Sequence, residues 1–252
     1  MSKIIIQGNP NFKKDKFDGI YLNVSEFFSN TIQGEGVSTG VPATFLRLQN
    51  CTLSCFWCDS TEVWRQGNPY SIPELLKLIE ESSLVEKFHS GQHLILTGGS
   101  PLLQQVPLIY LIEQFITRFG FKPYIEVENE CVKQPLDGLI ELVDQWNNSP
   151  KLNNSGMKVL LRYKPEVLTF MNSLRNSWFK FVIENEEDWK EVERDFLETK
   201  FINKERVILM PCGDTQEKLN ITRPIVADLA CRENVRFSDR LHVTIWDKKT
   251  GV

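Results

Sequence analysis

Cys51-Thr-Leu-Ser-Cys55-Phe-Trp-Cys58 places three thiols within eight residues, spaced C-x3-C-x2-C. A structural zinc site takes four closed protein ligands. A cubane iron–sulfur cluster has four irons, so three thiolates leave one iron open to another ligand. The alternative is that these are buried small hydrophobes, since free Cys is commonly buried. This clustering favours metal ligation over mere burial. The other cysteines, Cys131, Cys212 and Cys231, are scattered and read as core or supporting thiols. A tight cluster beside scattered residues in a chain of this size is no disulfide scaffold, and it points to a reducing compartment.

Upstream, 42–49 (Pro-Ala-Thr-Phe-Leu-Arg-Leu-Gln) alternates and is β-rich, so it reads as a strand delivering the cysteines at its carboxyl end. In α/β folds ligands collect at that end. Arg47 interrupts the apolar strand and needs an anionic partner. Either a structural ion pair or a clamp for a ligand carboxylate satisfies it. Further upstream, Thr31-Ile-Gln-Gly-Glu-Gly36 is a Gly-punctuated loop that permits close backbone approach or simply turns the chain. Residues 1–20 are polar and read as a loose arm, with an edge strand at most, ahead of a single domain over 21–252.

Downstream, Ser71 and Glu74 form a capping box that opens a helix. His93-Leu-Ile-Leu-Thr97 reads as a buried strand, and Gly98-Gly99-Ser100-Pro101 follows at once. A helix is expected over 106–119, stopped by Gly120. The strand at 122–128 carries Glu126 and Glu128 on one face. The pattern then predicts a helix over 137–146, a polar loop over 147–151, a disordered or mobile stretch over 151–156, a helix at 164–176 and a strand at 178–183. A charged helix at 186–199, a strand at 206–210, a helix at 216–234 and a final strand at 241–246 complete it. Strand and helix alternate about six times, which predicts an α/β fold with a mostly parallel sheet, arranged as a partial β/α barrel. The polar loops at 51–60, 97–100, 149–151 and 210–214 all follow strands and would converge.

The chain has 252 residues, with 41% hydrophobic and 25% charged, enough for a proper core. A net charge of −4 argues against a nucleic-acid surface. No apolar run approaches the ~20 residues of a membrane span. The apolar stretch at the N-terminus is too short for a signal peptide. These features predict a soluble, cytoplasmic protein with no direct nucleic-acid or membrane partner.

The cysteine loop and the following Gly-Gly resemble the radical S-adenosylmethionine (SAM) superfamily. Within it, Thr31-Ile-Gln-Gly-Glu-Gly, Phe45-Leu-Arg-Leu-Gln-Asn-Cys, Trp57-Cys-Asp-Ser60, Thr97-Gly-Gly and Ser149-Pro-Lys resemble the 7-carboxy-7-deazaguanine synthase family. The likeness runs from about Glu26 to the C-terminus. It implies a 4Fe-4S cluster on Cys51, Cys55 and Cys58, SAM at the open iron, and one-electron cleavage of SAM to a 5′-deoxyadenosyl radical. That radical would start the ring contraction of 6-carboxy-5,6,7,8-tetrahydropterin to 7-carboxy-7-deazaguanine, with loss of ammonia.

The resemblance also implies residue roles. Ile32, Gln33, Gly34, Arg47, Thr97, Glu128, His242 and Val252 would meet the substrate, with Glu126 a rival to Glu128. Gly99, Ser149, Pro150, Lys151, Met210, Pro211, Cys212 and Gly213 would line SAM. Ser60 would ligate Mg2+, as a hard oxygen donor can. A flavodoxin- or ferredoxin-like electron donor and a homodimer are implied too. Two departures stand out. Many relatives carry Gly-Gly-Glu-Pro, where a Glu grips the SAM ammonium, and here that residue is Ser100. The family's Thr-Asn-Gly after the strand glutamate is here Asn129-Glu130-Cys131. The rival readings are another radical SAM enzyme, such as a glycyl-radical activase, or a non-catalytic module stapled by metal. A staple needs a fourth ligand from His89, His93 or Cys131.

Overall fold

The computed structural model describes residues 3–11 and 19–251. Among these residues, ten strands form one sheet: β1 (Lys3–Gln7), β2 (Tyr21–Ile32), β3 (Pro42–Leu48), β4 (Asn68–Ser71), β5 (His93–Gly98), β6 (Ile125–Asn129), β7 (Gln145–Asn148), β8 (Ser177–Ile183), β9 (Val207–Pro211) and β10 (Arg236–Phe237). The order is β1-β2-β3-β5-β6-β7-β8-β9-β10, with β4 pairing β2 off this path. From β3 through β5 to β10 every pairing is parallel. β2 runs antiparallel to β1, β3 and β4. The path ends at β1 and β10 without closing, so the sheet is the expected partial barrel.

Ten helices accompany it among the described residues: α1 (Thr61–Trp64), α2 (Ile72–Glu81), α3 (Leu84–His89), α4 (Gln105–Phe119), α5 (Asp137–Leu142), α6 (Val159–Arg162), α7 (Pro165–Ser173), α8 (Glu186–Val192), α9 (Gln216–Glu233) and α10 (Leu241–Trp246). The capping box that opens α2 is present on both sides. Ser71 Oγ accepts from the Glu74 amide, and the Glu74 carboxylate accepts from the Ser71 amide at 2.8 Å. Gly120 ends α4 in the left-handed region, at φ 79°, as a residue without Cβ does most easily.

Period-two alternation divides each strand between two environments. Leu46, Leu48, Leu94, Leu96, Ile125, Val127, Phe179 and Phe181 join the large core shared with helix residues such as Leu75, Leu108 and Phe115. Their neighbours Phe45, Arg47, Thr97, Glu126, Glu128 and Lys180 turn to the other, concave face.

Within the N-terminal arm, residues 3–7 form β1, an edge strand on β2, with Ile6 buried. Residues 12–18 lie outside the described ones. Three expectations are corrected. The helix expected over 137–146 stops at Leu142, and Gln145–Asn148 form β7. Their amides and carboxamides satisfy a buried polar interior, so β7 carries no run of β-branched residues to mark it. The segment 151–156 is not disordered but holds a short 3-10 turn, Asn153–Ser155. Buried Arg162 pins it, donating to the Lys151 carbonyl (2.9 Å) and the Met157 carbonyl (3.1 Å) while pairing with Glu191 (2.8 Å). Finally, 241–246 is helical despite its β-branched content. The Leu241 amide is committed to the Gly34 carbonyl, and the Thr244 amide to the Arg240 carbonyl, so tertiary contacts override propensity.

Candidate active site

The concave face closes around one cavity of about 270 Å³. Its walls are the loops that follow β2, β3, β5, β6, β7 and β9, together with α10 and the segment after it. Cys51, Cys55 and Cys58 all line it, and none is in a disulfide. The cysteine loop is latched from behind: the Phe56 amide donates to the Ser155 carbonyl (3.1 Å) and Trp57 Nε1 to Asn154 (3.2 Å). Phe56 lies over Gly156, where an added Cβ would strike its ring.

Each thiol has its own surroundings. Burial pushes Cys51 up, against hydrogen bonds from the Leu53 amide (3.4 Å) and Ser100 Oγ (3.5 Å). Burial likewise raises Cys55, with nearby Lys151 opposing. Burial also acts on Cys58, but donors from Thr61, Trp64 Nε1 (3.5 Å) and the Ser60 amide outweigh it and lower this thiol. By contrast, burial holds Cys131 well above the ordinary thiol range. Burial with Glu184 pushes Cys212 up to about 12. Those two stay thiols at neutral pH. The three loop cysteines meet the donor chemistry of an iron–sulfur cluster: soft sulfur ligands, half-buried, with N–H or O–H donors aimed at the sulfurs of Cys51 and Cys58. Gly99 packs directly on this loop, where a Cβ would meet the Cys51 Cβ at 2.5 Å, so only glycine leaves the cysteine in place.

The residues proposed to supply a fourth ligand for a staple are engaged elsewhere. His93 Nδ1 pairs with Glu126 at 2.5 Å and its ring stacks on Tyr124. His89 packs edge-on against Phe121. Cys131 is part of the apolar core.

Opposite the cysteines, Glu128 accepts from Gln33 Nε2 (3.1 Å) and Thr97 Oγ1 (2.8 Å), and all three line the cavity with Ile32 and Gly34. The rival, Glu126, is fully buried and accepts from Gln145 (3.0 Å) and Asn147 (2.6 Å) besides pairing with His93. It does not line the cavity, so of these two β6 carboxylates Glu128 is the one presented there. Arg47 has a structural ion pair, Nε to Glu26 at 3.2 Å, and its guanidinium still lines the cavity, with Nη1 3.5 Å from the Gly98 carbonyl. Phe28 and Phe45 stack at 5.1 Å to form an aromatic patch of the wall.

Ser60 lines the cavity 3.7 Å from Cys58 Sγ, and its hydroxyl makes no capping bond to α1. Ser149 and Lys151 line it too, with Lys151 Nζ donating to the Ser149 carbonyl and hydroxyl at 2.8 Å each. Met210, Cys212 and Gly213 complete that side. Pro150 and Pro211 are buried and do not line the cavity, Pro211 ending β9 beside Ile183. Val252 lies outside the described residues. His242 lines the cavity on α10, where burial lowers its pKa and favours the neutral ring. It packs so closely on Gly34 that a Cβ there would overlap the imidazole.

Sequence reasoning missed a chain of paired charges spanning the mouth, with Lys180 and Arg240 buried, Glu35 half-buried and Asp59 exposed at its end. Glu35 pairs with Lys180 and with Arg240 Nε (2.9 Å), and Arg240 pairs in turn with Asp59 of the cysteine loop. Burial alone would raise Glu35, yet Lys180 and Arg240 hold it well below the usual carboxylate range. Both acids sit inside quoted motifs, Gln-Gly-Glu-Gly and Trp-Cys-Asp-Ser, which was the available signal. Their partners are 145 to 205 residues away in sequence.

The match to a 4Fe-4S single cluster domain covers residues 32–134. The 7-carboxy-7-deazaguanine synthase of Pyrobaculum aerophilum is 32% identical over 91% of this chain and 97% of that protein. The chain belongs to the 7-carboxy-7-deazaguanine synthase family. The relative of the same name from Hyperthermus butylicus is 30% identical over 89% of this chain and 92% of its own length. Among solved structures, QueE from Escherichia coli superposes with a TM-score of 0.64 at 20% identity, covering 88% of this chain and 95% of that one. That likeness concerns the fold and matches the open, mostly parallel sheet of this family member.

Proposed function

We propose that the protein is a radical SAM 7-carboxy-7-deazaguanine synthase that converts 6-carboxy-5,6,7,8-tetrahydropterin to 7-carboxy-7-deazaguanine with loss of ammonia. The product would feed queuosine or a related 7-deazapurine. The observation that carries this is the sharing of one cavity by three free cysteines and the Arg47, Gln33, Thr97 and Glu128 cluster. The family names of the relatives support it.

Cys51, Cys55 and Cys58 would hold the 4Fe-4S cluster, which with SAM bound supplies one-electron reductive cleavage as the start of radical chemistry. Gly99, Ser149, Lys151, Met210, Cys212 and Gly213 would form the SAM wall, with the neutral thiol of Cys212 packing rather than ligating. Glu26 fixes Arg47 by its Nε, leaving the η nitrogens for the substrate carboxylate, where a planar fork pairs best. Glu128, already oriented by Gln33 and Thr97, has lone pairs left for the ring N–H groups of the pterin. Ile32, Gly34 and neutral His242 close that end, and the Phe28–Phe45 stack excludes water from it. Ser60 would offer its hydroxyl to Mg2+, whose remaining positions water and substrate oxygens would fill. No helix of the described residues is long and apolar enough to cross a membrane. A cytoplasmic homodimer reduced by a flavodoxin- or ferredoxin-like donor completes the reading.

The deciding experiment incubates anaerobically reconstituted protein with the carboxypterin, SAM, Mg2+ and a reductant. The expected result is 7-carboxy-7-deazaguanine together with 5′-deoxyadenosine. Formation of 5′-deoxyadenosine without any deazaguanine would reject the synthase in favour of another radical SAM activity.

A further inference from the structure

Glu130 stands directly behind the cysteine loop, 5% exposed, and lines the cavity. Its Oε1 accepts two hydroxyl bonds, from Ser100 Oγ and Thr52 Oγ1, each 2.7 Å. Its Oε2 is buried with no hydrogen-bond partner among the described residues. A buried carboxylate oxygen left without a donor is costly and is ordinarily matched by a cation or a hydrogen bond. Lys151, a cationic side chain of the same cavity, directs its ammonium to Ser149 instead. Ser100 Oγ lies between Glu130 Oε1 and Cys51 Sγ, at 2.7 and 3.5 Å, with its one hydrogen directed mainly to the nearer carboxylate, which therefore stands one hydroxyl away from the first cluster cysteine. Ser100 is itself fully buried and its small side chain makes room for this arrangement. A second acid at position 100 would place two carboxylates against each other.

We infer that Glu130 is the residue of this chain that accepts a hydrogen bond from the α-amino group of the amino-acid end of SAM, with Ser100 and Thr52 holding its carboxylate in position. The inference rests on the proposed radical SAM activity and deepens it: the charged acceptor for that amino group comes from the loop after β6, and the residue after Gly98-Gly99 serves as its hydroxyl brace. A charge-assisted bond in a buried site is worth about 10- to 100-fold in affinity.

The test measures equilibrium binding of SAM, and of its analogue lacking the α-amino group, to the cluster-loaded protein. Glu130→Gln keeps the size of the side chain and an oxygen for Ser100 and Thr52. It is expected to weaken SAM about 10- to 100-fold, to leave the deaminated analogue unchanged, and to retain iron content and the visible spectrum. Moving the charge back with Ser100→Glu and Glu130→Gln together is expected to recover most of the lost SAM affinity. Equal SAM affinity in the wild type and Glu130→Gln, or equal weakening of both ligands, overturns the assignment while leaving the synthase reading in place. If Glu130→Gln fails to hold the cluster, Glu130→Asp, which draws the carboxylate back by one methylene, decides: SAM weakened about tenfold or more with the analogue unchanged supports the assignment, and unchanged SAM affinity overturns it. A cluster-loaded wild type that binds no SAM overturns both.

Discussion

The two faces of one sheet are built by opposite rules from adjacent residues. On β6, Ile125 and Val127 join the apolar core under the helices, while Glu126 and Glu128 between and beyond them carry buried charge on the concave side. On β8, Phe179 and Phe181 alternate with Lys180 in the same way. The helix-side face is held by burial, which is non-directional and tolerant of shape so long as volume is conserved. The concave face is held by directed bonds whose members each need a specific partner. The first therefore supplies stability and the second spends some of it to aim groups at a ligand. Substitutions should separate accordingly, and that separation can be broken by experiment.

The largest effect is expected on the concave side at the cysteine loop. Cys55→Ala should abolish cluster assembly and all activity, because two thiolates cannot hold the cubane against solvent. Iron analysis after anaerobic reconstitution checks this, and an iron content equal to wild type would contradict it. On the helix side, Leu96→Ala removes a fully buried side chain and should cost about 2–5 kcal/mol of stability, measured by denaturant unfolding. Turnover per folded molecule should stay near wild type. A loss of turnover matching that of a concave-face variant would mean the two faces are not separable.

Arg47→Ala should raise KM for the carboxypterin roughly 100-fold while SAM cleavage without substrate persists. Because this variant also leaves Glu26 unpaired, Arg47→Ala with Glu26→Gln is the cleaner comparison. Normal substrate affinity there would reduce Arg47 to a brace for Glu26.

The smallest effect sharpens the role of the charge chain at the mouth. Glu35 has a folded-state pKa held below its usual value of 4.5. Its contribution to stability is then fully present above that value and is lost as pH falls through the depressed one. Glu35→Gln should lower stability by about 1–3 kcal/mol at neutral pH and flatten the loss on acidification below pH 4.5. An acid limb identical to wild type would place the stabilisation on other groups.

What the sequence disclosed was governed by how local each signal is. The cysteine spacing, the Gly98-Gly99 step and the Ser71–Glu74 capping box each need only a few consecutive residues, and each forms as expected. β7 escaped because Gln145-Trp-Asn-Asn is buried by partners on other strands, with Asn148 donating to Ser177 (2.6 Å) and Gln145 to Glu126 (3.0 Å). Residues 241–246 escaped in the reverse sense: Val243, Thr244 and Ile245 favour a strand, but Thr244 Oγ1 bonds Asp239 (3.0 Å) and Leu241 docks on Gly34. Arg47 was recognisable as needing an anion, yet whether Glu26 or a ligand supplies it depends on a cross-strand register between β2 and β3. The pairing of Glu35 with Lys180 and Arg240 depends on barrel curvature that no local pattern encodes.

The central claim is that three cysteines on the concave face leave one cluster corner open to SAM. Electron paramagnetic resonance of the reduced, cluster-loaded protein tests it most directly. The expected result is a one-electron-reduced cluster signal whose g values shift when SAM is added. A cluster signal that is unchanged by saturating SAM would contradict it.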